Sequence, residues 1–146
     1  MSELQQTLAS PTALEGTGIH TGEPADIRFL PADPDSGIRF RRTDLDGTPE
    51  VKAELDNVHD TELGTTLADG AAEARTVEHV LAAVAALRLD NLVIELSGPE
   101  APIVDGSFRP FLEALAEAGV VEQDRPARVW DLSQPVSVDG PNGGHY

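Results

Sequence analysis

Cysteine is absent from the 146-residue chain, which removes disulfides, thiolate metal sites and a cysteine nucleophile from consideration. Lysine is almost absent as well: Lys52 stands alone, and arginine supplies the rest of the ten basic residues. Against those ten stand 26 acidic residues, a formal net charge of −16. A nucleic-acid backbone or an anionic membrane surface repels such a chain, so no nucleic-acid partner is expected. The acid excess fits a saline habitat and a biased genome equally. Aromatic residues make up only 4%, leaving the core to Leu, Val, Ile and Ala. Long apolar runs are missing too. The longest charge-free stretch in a periodic segment, Val80 to Leu87, falls far short of the ~20 residues that cross a bilayer. Met1 to Pro11 has neither a basic start nor an apolar run, so no signal peptide or integral membrane segment is expected, and a soluble cytoplasmic protein is the default. The length suits one domain.

What is present reads as strands first and helices after. Thr12 to Gly22 is rich in glycine and threonine, a loop composition. Ala25 to Leu30 alternates around Ile27 and Phe29, and Gly37 to Arg42 around Ile38 and Phe40. The turn formers of Pro31 to Gly37 lie between them, so the pair is expected to form a hairpin. Val51 to Val58 and the short Thr65 to Leu67 are further strand candidates. From Thr76 to Leu87 the period changes: Val77, Val80, Leu81, Val84 and Leu87 fall on one helical face, with Thr76 as N-cap candidate. Asn91 to Leu96 is a β-branched run suited to a central strand, and a second helix follows from Ser107 to a stop at Gly119. Val129 to Val138 suggests one more hairpin. The fold class expected is α+β, a mostly antiparallel sheet with two helices on one face.

The first helix carries an anomaly. Its segment Val80 to Leu87 is apolar on every side, with Ala82, Ala83, Ala85 and Ala86 on the back where a solvated helix shows charge. Alanine's high helix propensity accounts for this, and so does a second layer covering the helix.

Among the four histidines, His79 sits beside Glu78 in the first turn of this helix. With Val77 at zero, they lie at about 100° and 200°, off the apolar stripe. Spacing alone admits a solvated helix start, with Glu78 complementing the dipole, or a base next to a metal ligand. A second histidine four residues on would mark the common zinc motif, but Ala83 stands there. His20 lies in the glycine-bracketed Gly18 to Gly22, either a surface loop or a cleft wall. His59 reads as an exposed strand end, His145 as a terminal residue, and Asp105 and Ser107 as a helix cap.

In order along the chain come Glu15 to Gly22 (EGTGIHTG), Arg41 to Leu45 (RRTDL), Leu63 to Leu67 (LGTTL), Arg75 to His79 (RTVEH), Asp90 to Glu95 (DNLVIE) and Pro99 to Ser107 (PEAPIVDGS). This series resembles the UDP-3-O-acyl-N-acetylglucosamine deacetylases of Gram-negative bacteria, zinc enzymes of lipid A synthesis. The resemblance runs from about Leu4 to Val138. It implies one half of a fold in which two similar sheet-and-helix halves sandwich their helices, which accounts for the alanine back. It makes residues 1–126 the N-terminal half-domain and 127–146 the truncated start of the second half. His79 matches the family's first zinc ligand and Glu78 its catalytic base; His20, Thr61, Leu63 and Gly64 fall in segments bordering the cleft.

The resemblance implies further that the remaining zinc ligands and a second catalytic histidine come from the other half, which would also supply positive charge for the anionic UDP substrate. The expected partners are accordingly that substrate and either a complementary half or a second copy of this chain. A stand-alone non-catalytic half, serving as an assembly module or an inactive remnant, is the alternative.

Overall fold

Alternation and burial agree best in the strand Pro24–Pro31 (β3), where Ala25, Ile27 and Phe29 are buried and the residues between them exposed. The computed structural model describes residues 3–129, 131–140 and 143–145. The other described strands are β1 (Leu4–Leu8), β2 (Thr12–Thr17), β4 (Ile38–Arg42), β5 (Glu50–Lys52), β6 (Val58–Asp60), β7 (Thr66–Asp69), β8 (Ala72–Ala74), β9 (Leu92–Leu96) and β10 (Val120–Pro126). The helices are α1 (Glu78–Ala86) and α2 (Arg109–Ala118).

Five strands form the main sheet in the order β2-β3-β9-β4-β5; β6-β7-β8 form a second sheet and β1-β10 a ribbon. Among the described residues every pairing between strands is antiparallel except that of β4 with β9. The expected central strand is therefore in place: Leu92, Val93, Ile94 and Leu96 of β9 are buried between β3 and β4. The expected hairpin is not. Turn chemistry brings the chain round after β3, but β9 inserts between the two strands and takes the hydrogen bonds of both.

Other local expectations also give way to tertiary pairing. Thr12 to Thr17 is a strand, since β3 offers it an antiparallel partner from Thr12↔Phe29 to Thr17↔Pro24. Val51 to Val58 is split by a 3-10 turn at Leu55–Asn57 into the end of β5 and the start of β6. Among the described residues of Val129 to Val138 there is no strand; Trp130 lies outside them.

The two helices pack together, and their inner residues join the sheet in one core. Phe111 of α2 meets Phe29 of β3 edge to face, with centroids 6.5 Å apart and planes at 71°. Val80, Ala83 and Val84 form the inner side of α1. Ala83 is thus a core residue with 0% exposure, not part of the back. Helical rotation puts it on the inner side with Val80 and Val84, while Ala82, Ala85 and Ala86 stay exposed.

The second sheet is locked to the first by Arg42. Its Nε and Nη2 donate to Asp44 Oδ1 and Oδ2 at 2.8 and 2.7 Å, and its Nη1 to the Glu73 carbonyl of β8 at 3.0 Å. The hydrogen bonds from Arg42 hold the Asp44 carboxyl below the usual carboxylate range, against a smaller opposing effect of burial.

Candidate functional site

The site is organised by how α1 begins. The Arg75 N–H donates to the Pro99 carbonyl at 2.8 Å, and the Ala101 N–H returns to the Arg75 carbonyl at 3.1 Å, a parallel bridge that fixes two distant segments. Thr76 then turns through φ 57°, a left-handed conformation that is a genuine outlier for a β-branched residue. The expected capping role of Thr76 is not observed. Val77 occupies the N-cap without a side-chain bond, and the Thr76 hydroxyl donates instead to Glu100 Oε1 at 3.1 Å.

That turn places Glu78 and His79 in the first turn of α1, both half-buried and away from the inner side of the helix. The Thr65 N–H donates to Glu78 Oε2 at 3.0 Å, while the Val77 N–H donates to the Thr65 carbonyl at 3.3 Å. The carboxylate is therefore bracketed against the chain leading into β7. Gly64 is pressed beside it: a Cβ there would lie 3.2 Å from Glu78 Oε1.

A cavity of about 340 Å³ opens at this point, and His20, His59, Leu63, Gly64, Thr66 and Thr76 are among the residues that line it. His20, Leu63 and Gly64 thus come together from loops far apart in sequence. Thr61 is exposed and is not among the lining residues. His59 does line the cavity. As the middle residue of the three-residue β6 it gave no periodic signal; only its place just upstream of the Leu63 to Leu67 segment hinted at it.

Glu100 is the functional candidate that sequence reasoning passed over. It is only 2% exposed, yet four groups donate to its carboxylate. They are the His20 N–H at 3.0 Å, the Thr21 N–H at 2.9 Å, the Thr21 hydroxyl at 2.8 Å and the Thr76 hydroxyl. Burial pushes this carboxyl upward, but the hydrogen bonds from His20, Thr21 and Thr76 outweigh it and leave the group below its ordinary value. The available signal was a lone charge inside the otherwise apolar Pro99 to Val104.

Asp105 and Ser107 build the turn before α2. Asp105 Oδ1 accepts from the Ser107 N–H at 2.9 Å, and Ser107 Oγ accepts from the Arg109 N–H at 3.2 Å.

Catalytic zinc needs three protein ligands and an open position. Among the described residues no three His, Asp or Glu side chains gather as a metal site. The donors present therefore do not fit a complete zinc centre by themselves. Neither Glu78 nor His79 is among the residues lining the cavity; what the arrangement offers is a fixed carboxylate, followed by a histidine, set behind the Gly64 and Thr76 portion of its wall.

The family model described as LpxC: UDP-3-O-acyl N-acetylglycosamine deacetylase matches residues 5–144. A UDP-3-O-acyl-N-acetylglucosamine deacetylase of Bdellovibrio bacteriovorus is 47% identical over 133 residues, covering 91% of this chain and 44% of that protein. A protein of the same name from Brucella melitensis is 45% identical over 144 residues, 97% of this chain and 50% of the relative. The bifunctional enzyme LpxC/FabZ of Chlorobaculum tepidum is 44% identical over 137 residues, 94% of this chain and 29% of its own length. The chain spans about half the length, or less, of these curated relatives.

Proposed function

Since the chain belongs to the UDP-3-O-acyl N-acetylglycosamine deacetylase family, we propose that it supplies the catalytic base of a two-half enzyme that hydrolyses the N-acetyl group from UDP-3-O-acyl-N-acetylglucosamine. In this reading residues 1–126 form the N-terminal half-domain and 127–146 lead into the second half. The enzyme is zinc-dependent, cytoplasmic and serves lipid A biosynthesis in a Gram-negative cell. The zinc is held by His79 together with ligands from the second half, because this chain's own donors do not complete the site.

The observation that carries the reading is the bracketing of Glu78. A general base must be held within reach of the proton it takes, and its geometry counts before its pKa. The Thr65 N–H fixes one carboxylate oxygen at 3.0 Å. The other lies behind Gly64, which lines the cavity, and is the one left to accept a proton from the attacking water. Hydrolysis cleaves the amide C–N bond, releases acetate and leaves the sugar amine. No helix among the described residues is long and apolar enough to cross a membrane.

The test is complementation. Mixed with the second half of a related deacetylase, the chain is expected to restore release of acetate from UDP-3-O-acyl-N-acetylglucosamine. Glu78→Gln should then lower turnover by about 10²–10⁴-fold, the usual contribution of a general base. Unchanged turnover in that variant removes Glu78 from the role.

A further inference from the structure

Glu100 is a buried carboxylate for which hydrolysis has no direct use, since its four hydrogen-bond donors occupy it. Those donors come from two separate pieces of chain. His20 and Thr21 belong to the loop between β2 and β3; Thr76 is the residue from which α1 springs. An ionised carboxylate only accepts, so it alone among side chains of this length satisfies four converging donors. The approach is close. A Cβ on Gly18 would stand 2.2 Å from Glu100 Oε2, so the loop backbone lies directly against the carboxylate.

We propose that Glu100 is a positioning residue for Glu78, acting through Thr76. Its bond to the Thr76 hydroxyl holds that residue in its left-handed turn, with φ 57°. The turn in turn presents the Val77 N–H to the Thr65 carbonyl and Glu78 to the Thr65 N–H. A non-glycine residue in this conformation persists only where its surroundings over-determine it. The Glu100 contact and the Arg75–Glu100 bridge are those surroundings. The same carboxylate also places His20, so two residues that line the cavity, His20 and Thr76, take their position from one group. The inference rests on Glu78 being the base, and the test separates the two.

Amide hydrogen exchange is measured on the folded 146-residue chain and on its Glu100→Gln and Thr76→Val variants. In both, the Thr65 amide is expected to exchange at least tenfold faster relative to Ile94 in the sheet centre, and Thr76→Ser is expected to recover its protection. In the complemented enzyme the same two variants should lose about tenfold or more in kcat, with KM within about twofold and the pH profile unmoved, because the base itself is intact. Faster exchange confined to His20 and Thr21, with Thr65 and kcat unchanged, reduces Glu100 to a local loop staple and overturns the proposal. A displaced acidic limb in Glu100→Gln makes Glu100 a titrating participant and overturns it as well. Should Glu100→Gln fail to fold, Thr76→Val decides the matter alone. Full turnover in Glu78→Gln refutes the base while leaving the exchange result to judge the coupling.

Discussion

Gly64 and Glu78 meet so closely that a Cβ on the glycine would stand 3.2 Å from Glu78 Oε1. The glycine therefore sets how near the carboxylate can come to the cavity that the glycine itself lines. Gly64→Ala forces Glu78 to yield by a few tenths of an ångström, and misplacement by about 1 Å costs up to 10²-fold in rate. The expected result, with activity read in the complemented enzyme, is a roughly tenfold loss of kcat with a melting temperature close to that of the parent. Equal kcat in the two proteins would show that the carboxylate has room to spare.

Acid should find Glu100 before the rest of the core gives way. Its folded-state value lies below the ordinary 4.5, so ionisation contributes stability that is full above about pH 4.5 and is lost as pH falls through the folded value. Denaturant unfolding followed from neutral pH downward should show a falling stability in this window. In Glu100→Gln the fall should be shallower, because one group no longer takes up a proton on unfolding. Identical slopes would assign the acid sensitivity to Asp44 and Asp105, whose carboxyls are also held low.

Asn91 is the polar hinge-pin of the opposite end, 1% exposed. Its Nδ2 donates to Gln5 Oε1 at 2.8 Å and Gln123 Oε1 at 2.7 Å, while its Oδ1 accepts from the Gly37 N–H at 2.9 Å. Asn91→Ala removes three bonds and leaves Gln123 Oε1 and the Gly37 N–H without a partner, while Gln5 Oε1 keeps the Asp35 N–H at 2.9 Å. An unsatisfied buried polar group costs about 1–3 kcal/mol, so a loss of about 2 kcal/mol or more in chemical denaturation is expected. A loss under about 1 kcal/mol would mean that water replaces the amide.

The exposed alanines of α1 predict association. Ala82, Ala85 and Ala86, at helical spacing, form an apolar strip on the exposed face of α1, and such surface marks a contact site. The 146-residue chain on its own should self-associate, more tightly as salt screens the −16 charge. Ala86→Glu should give a monomer of undiminished melting temperature, whereas Ala83→Glu should unfold because Ala83 is in the core. Sedimentation that finds monomer at every salt concentration would dismiss the strip as ordinary surface.

What the sequence made legible was periodic or local. The apolar stripes of α1 and α2, the run of β9 and the glycine stop at Gly119 are each written within a dozen residues. The ribbon was not. Gln5, Gln6 and Thr7 of β1 look polar, and β10 is exposed along most of its length. Their pairing joins Leu4 to Pro126, a relationship no local window contains. The misplaced β3–β4 hairpin has the same origin, for turn formers report that the chain reverses but not which strand it meets afterwards. Helix counting made legible that Glu78 and His79 lie off the apolar stripe, as they do; the roles proposed for them come from the family resemblance and not from spacing. Glu100 was invisible because its donors lie about 80 residues upstream, in the His20–Thr21 loop.

The insertion of β9 between β3 and β4 sets a timetable for synthesis. While the chain emerges as far as α1, β2 can close on β3 and β4 on β5, giving two hairpins with no sheet in common. Only β9 welds them, and only β10 then covers β1. Contacts this distant in sequence form slowly and leave strand edges open in the meantime. A ribosome paused before Leu92 therefore holds a chain that proteases cut freely. Resistance arrives late, in two steps, as β9 and then β10 leave the exit tunnel.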